Sequence, residues 1–303
     1  MIIGISASIY FRQNLNINRG DEKMNRNTEN SHLLYQRDGF LARIILNRPE
    51  KYNAFSLPMI QKWAEALQDA QEDQTIRVIV VTANGKAFST GGDVEAMSKG
   101  TGFIGCDEEG VTWGDKAIDR KRALTNYIHK IALTLEMMDK PVICGINGMA
   151  VGAGLDMALM CDIRVAAEDA RLSAGYVKAG IVPGDGGAFY LPRLVGVAKA
   201  LEFLWTGDFI SAHEAKEMGM VNKVVPALEL EQATLELAGK IADSPPVCVQ
   251  MIKRAVYSAQ RTNDLRTALD LISSQMAIVS EMSDHKEGLA ALKEKRKPIF
   301  TGN

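Results

Sequence analysis

Two stretches carry residue types that could do chemistry: "KAFSTGGDVEAM" at 86–97 and "NGMAVGAGLDMA" at 147–158. Each follows an apolar run and sets small residues, glycine above all, just before an acid. Glycine there serves either a tight turn or a backbone that must come close to a ligand. In open α/β sheets ligands bind beyond the carboxyl ends of strands, so loops from two neighbouring strands can aim N–H groups at one point. The chemistry this suits is stabilisation of a developing oxyanion on a carbonyl, where losing one donor typically costs about 2.7 to 4 kcal/mol of barrier. The second donor would also stand at a helix N-terminus, where negative charge is favoured.

Other chemistries lack their residues. The second stretch reads G-x-G-x-x-M and so misses the third glycine of a dinucleotide fingerprint. No G-x-S-x-G supplies a hydrolase nucleophile elbow. The histidines, His32, His129, His213 and His285, are scattered without metal-ligand spacing, and we read them as surface or helix residues with no metal site. Cys106, Cys144, Cys161 and Cys248 form no CxxC pair, and two lie in apolar runs, which fits a reducing, cytoplasmic setting. A net charge of -2 gives no bulk drive toward nucleic acid or an anionic membrane.

The elements that must position these turns follow from periodicity. Residues 33–50 read as two short strands around Asp38-Gly39, ended by Pro49. A helix is predicted over 58–73, with Ile60, Trp63, Ala64 and Leu67 on one face. "IRVIVVTAN" at 76–84 is a β-branched run of the kind buried on both faces of a parallel sheet. A loop is expected over 98–118, then a helix over 119–138, the strand "PVICGIN", the small-residue turn "GMAVGAG", a helical "LDMALMCD" and the strand "IRVAAE". This alternation argues for an α/β core with crossover connections. After "VPGDGG" helices are predicted at 187–205, 211–218, 227–243, 246–260, 264–282 and 284–295. Residues 1–32 read as a flexible arm, with Met24 a candidate start; 33–225 read as the α/β core and 226–303 as a helical region. No internal repeat is visible, and no apolar run reaches the roughly 18 residues of a membrane span.

Taken in order, "NRPEKYNAFS", "KAFSTGGDVEAM", "KPVICGINGMAVGAGLDMALMCDIRVAAEDARL", "YLPRLVG", "TGDFISAHEAKEMGMVNKVV" and "DHKEGLAALKEKRKPIFTG" resemble the crotonase superfamily, in particular its enoyl-CoA hydratase/isomerase members. The resemblance runs from about residue 33 to 303. It implies a spiral of repeated ββα units with a helical C-terminal region, assembled as a homotrimer or dimer of trimers. It also implies an acyl-CoA substrate, coenzyme A being part of the substrate and no further cofactor being needed. Carried over by position, the oxyanion donors are the N–H groups of Gly92 and Ala153. CoA would run past the backbone of Asn53, Ala54 and Phe55, with Lys295 and Lys297 as phosphate partners; the plain alternative for the two lysines is a solvated helix end. Phe103 and Trp113 are candidate walls of the acyl pocket.

Where the familiar hydratases have two glutamates, this chain has Asp156 and Tyr176. Asp156 keeps a carboxylate but is one methylene shorter; its alternative role is to stabilise the first turn of a helix. Tyr176 is no base at neutral pH, since a phenol titrates near 10, yet it can orient water or a carbonyl, or simply wall the pocket. Asp185 lies in a loop resembling the place from which some branches project a catalytic aspartate, and is otherwise a turn residue. The expected activity is hydration of an enoyl-CoA through an enolate. The alternatives are double-bond isomerisation, thioester hydrolysis, or acyl-CoA binding without turnover.

Overall fold

The computed structural model of the protein describes residues 31–100, 102–105, 116–262 and 264–303. Residues 1–30 of the expected arm, with Met24, lie outside these, as does Trp113. The two remaining arm residues are anchored: Ser31 bonds the Leu33 carbonyl, and His32 Nδ1 meets Ser56 Oγ at 2.7 Å.

The chain opens with β1 (Leu33–Asp38) and β2 (Leu41–Leu46), an antiparallel hairpin. Helix α1 (Leu57–Glu72) begins where the Ser56 hydroxyl accepts the Met59 N–H and proline occupies the first turn. Its apolar face buries Ile60, Trp63 and Leu67 completely, while Ala64 packs half-buried beside them. Then come β3 (Val78–Ala83), β4 (Ala87–Ser89) and the short α2 (Val94–Ser98). Helix α3 (Ala117–Ala123) continues through a π-helical turn (Leu124–Ile128) into α4 (His129–Met137).

Next are β5 (Val142–Ile146), β6 (Met149–Val151) and α5 (Ala153–Leu159), then β7 (Ile163–Ala167) and β8 (Arg171–Ser173). Helices α6 (Gly187–Val195) and α7 (Val197–Thr206) replace the single helix expected over 187–205. Gly196, at φ 81°, breaks the helix between them, a conformation that glycine takes without a Cβ clash. The chain ends with β9 (Ile210–Ser211), α8 (Ala212–Glu217), β10 (Lys223–Val225), α9 (Leu230–Ala242), α10 (Pro246–Arg261), α11 (Leu265–Glu281) and α12 (Ser283–Glu294).

Two sheets result. The larger runs β1-β2-β3-β5-β7-β10, parallel from β2 onward, and the smaller runs β4-β6-β8-β9. The strand of the large sheet, the short strand of the small sheet and the helix recur as β3-β4-α2 and β5-β6-α5, and β7-β8 begins a third turn. This is the spiral the resemblance implied. The "GMAVGAG" segment, expected as a turn, therefore contains a strand, as does "KAFSTGG". Helix α9 packs on β3 and β5 with Ala238 and Ala242 buried, so core packing runs past residue 225.

Beyond it, α10 is moored by polar contacts. Lys253 reaches Asp162 at 2.7 Å, Tyr257 donates to Asp162 at 2.8 Å, and Arg254 pairs with Asp139. Beneath these ties lies a cavity of about 720 Å³, lined in part by Leu159, Ile163, Val249 and Val256. No helix among the described residues is long and apolar enough to cross a membrane.

Candidate active site

The first glycine turn is built from its neighbours. Gly91 takes φ 74°, and a Cβ there would stand 2.8 Å from Ala153 N and 2.7 Å from Gly154 N. The two glycine turns are thus pressed together, with the Gly91 backbone against the start of α5. Gly154 is equally constrained, since its Cβ would fall 2.3 Å from the Ser89 carbonyl oxygen. Ala153, the first residue of α5, has no intrahelical acceptor for its N–H. The Phe103 carbonyl lies beside Gly92, 3.3 Å from where a Cβ would be, and accepts the Asp93 N–H at 3.0 Å. The Phe103 main chain thus flanks the turn.

Asn53, Ala54 and Phe55 form the frame under this turn. Their N–H groups donate to the carbonyls of Arg48, Lys51 and Gly91 respectively. The Asn53 side chain is fully buried; it accepts the Arg48 N–H and donates to the Asn84 and Ala87 carbonyls. Ser89 Oγ donates to the Asn53 carbonyl and accepts the Gly91 N–H at 3.0 Å. With every N–H committed, these three residues have only carbonyl oxygens to offer a CoA chain. Lys297 pairs with Asp243 at 2.8 Å, and Lys295 closes α12 in the left-handed region at φ 54°. No described contact joins either lysine to the glycine turns.

The three proton-moving candidates come together. Tyr176 Oη donates to Asp156 Oδ2 at 2.6 Å and stands 3.1 Å from Asp185 Oδ2. Asp156 is 2% exposed, and Asp185 and Tyr176 are 7% exposed each. Asp156 Oδ2 also accepts the Gly187 N–H at 2.8 Å. Gly187 is glycine for that contact, because a Cβ there would lie 2.3 Å from Asp156 Oδ1. Tyr176 is therefore a bridge between two carboxyls. Its ring also packs beneath Gly152, 3.7 Å from where a Cβ would be, which joins the carboxyl pair to the second glycine turn.

Burial pushes the Asp156 carboxyl up to about 7; the Tyr176 and Gly187 donors oppose this and the nearby Asp185 charge adds to it. Burial likewise raises Asp185, against the Tyr176 contact, and lifts the Tyr176 phenol well above its ordinary range. One phenol hydrogen cannot serve two carboxylates at once. The bridge is complete when one carboxyl holds a proton and the other is ionised, the arrangement expected of two acids sharing a site. Asp185 Oδ1 is buried and has no hydrogen-bond partner among the described residues.

The enoyl-CoA hydratase/isomerase family model matches residues 36–303, nearly all of the described chain. The chain belongs to this family. Within it, the chain is 34% identical over 259 residues to the 1,2-epoxyphenylacetyl-CoA isomerase of Escherichia coli, covering 86% of this chain and 94% of that one. It is 32% identical over 270 residues to the short-chain-enoyl-CoA hydratase of Clostridium acetobutylicum, covering 89% and 97%. Among solved structures, an enoyl-CoA hydratase from Bacillus anthracis superposes with a TM-score of 0.79 at 35% identity, covering 90% of this chain and all of that one. The family accounts for the spiral and for an enoyl-CoA hydratase/isomerase activity. Tyr176, at a position where the resemblance implied a glutamate, instead joins the two carboxyls.

Sequence reasoning did not find Gly187, the Arg48–Asp93 ion pair or the contact of His129 with the Asp185 loop. The glycine was visible in "GDGG", but its reason is a close approach to a residue 31 positions earlier.

Proposed function

We propose that this family member is an enoyl-CoA double-bond isomerase in which Asp185 carries a proton between two carbons of the acyl chain. The observation that carries this reading is the buried, unpartnered Asp185 Oδ1. Asp156 takes both of its donors, Tyr176 and Gly187, on Oδ2. A buried carboxylate oxygen without a donor is costly unless a ligand meets it.

In the forward direction Asp185 takes a proton from C2 of a 3-enoyl thioester. The electron pair of that C–H bond moves onto the thioester as a dienolate, whose oxygen is received by the Gly92 and Ala153 N–H groups. Two main-chain donors stabilise that charge more than the neutral carbonyl. Asp185 then returns the proton to C4, and the double bond comes to lie between C2 and C3. When Asp156 holds the proton the two acids share, the Tyr176 phenol is free to donate to Asp185, which favours the ionised form of the working carboxylate. Exposed apolar side chains on α10 and α11, including Ile252, Val256, Leu269 and Met276, support the expected trimeric or hexameric assembly.

Hydration is the second reading, favoured by the carboxyl pair itself: one protonated and one ionised acid is also what adding water requires. Parallel incubations with a 3-enoyl-CoA and with crotonyl-CoA separate the two. The isomerase reading expects conjugated-enone absorbance to rise with the first and to hold steady with the second. Loss of absorbance with crotonyl-CoA and no change with the 3-enoyl-CoA would establish hydration instead. Silence with both, alongside tight acyl-CoA binding, would make the chain a binder.

A further inference from the structure

The loop carrying Asp185 is tied at its far end by the Gly187 N–H, which donates to Asp156, and by the Gly186 carbonyl, which accepts the Phe189 and Tyr190 N–H groups. Ile181 N–H donates to the Tyr176 carbonyl at 3.1 Å, and Val182 is 79% exposed. Asp185 itself meets Tyr176. Between these points, His129 Nε2 lies 2.7 Å from the Gly184 carbonyl oxygen. A carbonyl only accepts, so Nε2 carries the hydrogen and the ring donates. Leu124 lies against the same residue, 3.3 Å from where a Gly184 Cβ would stand.

Residues five apart in an α-helix point about 140° away from one another. Leu124 and His129 nevertheless reach one glycine, because the π-helical turn over Leu124–Ile128 closes residue i onto i+5 and brings both to one side. The π turn thus has a consequence at the site: it aims an apolar group and a hydrogen-bond donor at the peptide immediately before Asp185. A charge on the His129 ring also acts on Asp185, opposing the rise that burial produces, as expected of a ring that faces this loop.

We propose that His129 is a positioning residue, whose Nε2–H holds the Gly184 carbonyl and so presents Asp185 Oδ1 to the acyl chain. This rests on Asp185 being the base. Displacement of a reacting group by about 1 Å can cost on the order of 100-fold in rate, so a tether on the peptide directly before Asp185 is enough to matter.

The test uses the full-length protein and turnover of a 3-enoyl-CoA. His129→Leu removes the donor, His129→Gln restores an N–H of similar reach, and Asp185→Asn removes the base. His129→Leu is expected to lower kcat about 10- to 100-fold while KM stays within about threefold, as for a loss felt in the transition state. His129→Gln should regain most of the rate. Full kcat in His129→Leu, or a natively melting His129→Gln as slow as His129→Leu, overturns the role of His129. Should His129→Leu fail to fold, His129→Asn, whose amide is too short to reach, replaces it in the comparison with Gln. Asp185→Asn at full rate overturns the base assignment itself; a dead Asp185→Asn beside a fully active His129→Leu overturns only the positioning role.

Discussion

Two buried aspartates follow the glycine turns in successive turns of the spiral, and their partners make them opposites. Asp93, directly after the Gly91-Gly92 turn, accepts the Ala96 N–H as the cap of α2 and faces the buried Arg48 guanidinium at 3.0 Å. Asp156, in the first turn of α5, faces a phenol and a backbone N–H. A carboxylate beside a guanidinium has its charge balanced and serves as frame. A carboxylate buried with neutral donors and a second acid keeps a proton near neutrality, and so becomes a reagent. The contrast lies in the counter-charge rather than in burial, which the two share.

Four variants break or sharpen that contrast. The largest effect is expected at the frame: Arg48→Met leaves Asp93 buried without its cation and should cost about 3 to 5 kcal/mol of folding stability. Urea denaturation measures it, and a loss near zero would mean the pair frames nothing.

Next comes the reagent side, through pH. The pKa of Asp156 is raised from 3.8 to about 7 in the folded protein, so the folded state holds a proton that the unfolded chain releases. Its contribution to stability is full below about pH 4 and falls as pH rises toward 7, by on the order of 4 kcal/mol. Asp156→Asn should flatten the wild-type slope across that window; parallel slopes in the two proteins would contradict the assigned shift.

Gly187→Ala is smaller in effect. The new Cβ displaces the Asp156 carboxyl and should slow turnover on the order of 100-fold without abolishing acyl-CoA binding. Unchanged kcat would show that the Gly187 contact is incidental. Tyr176→Phe, which removes the bridge but keeps the ring, should have the least effect, about tenfold in kcat for one lost buried hydrogen bond. A loss as large as that of Asp185→Asn would instead make the phenol a direct participant.

The contrast also explains what could be read beforehand. "VIVVTA", "VICGI" and "IRVAA" announced buried parallel strands, because β-branched runs have few other uses. The spiral repeat stayed hidden, since its second strands are "AFS", "MAV" and "RLS", too short for any periodicity to register. Both glycine turns and both acids were legible as candidates. Their partners were not: Tyr176 lies 20 residues from Asp156 and 9 from Asp185, and only the fold brings them within hydrogen-bond reach. Asn53, Ala54 and Phe55 were read for their backbone, and their N–H groups donate to the Arg48, Lys51 and Gly91 carbonyls, partners that no sequence pattern shows. His129 was set aside for want of metal spacing; its partner is a main-chain carbonyl, which leaves no mark in a side-chain pattern.

The central claim is that the free oxygen of Asp185 moves the proton. Deuterium exchange from heavy water into C2 and C4 of a 3-enoyl-CoA, followed by mass spectrometry in wild type and Asp185→Asn, tests it most directly. The account predicts exchange in the wild type and a fall of about 100- to 10,000-fold in the variant, with acyl-CoA binding retained. Undiminished exchange in Asp185→Asn would contradict it and return the proton to Asp156.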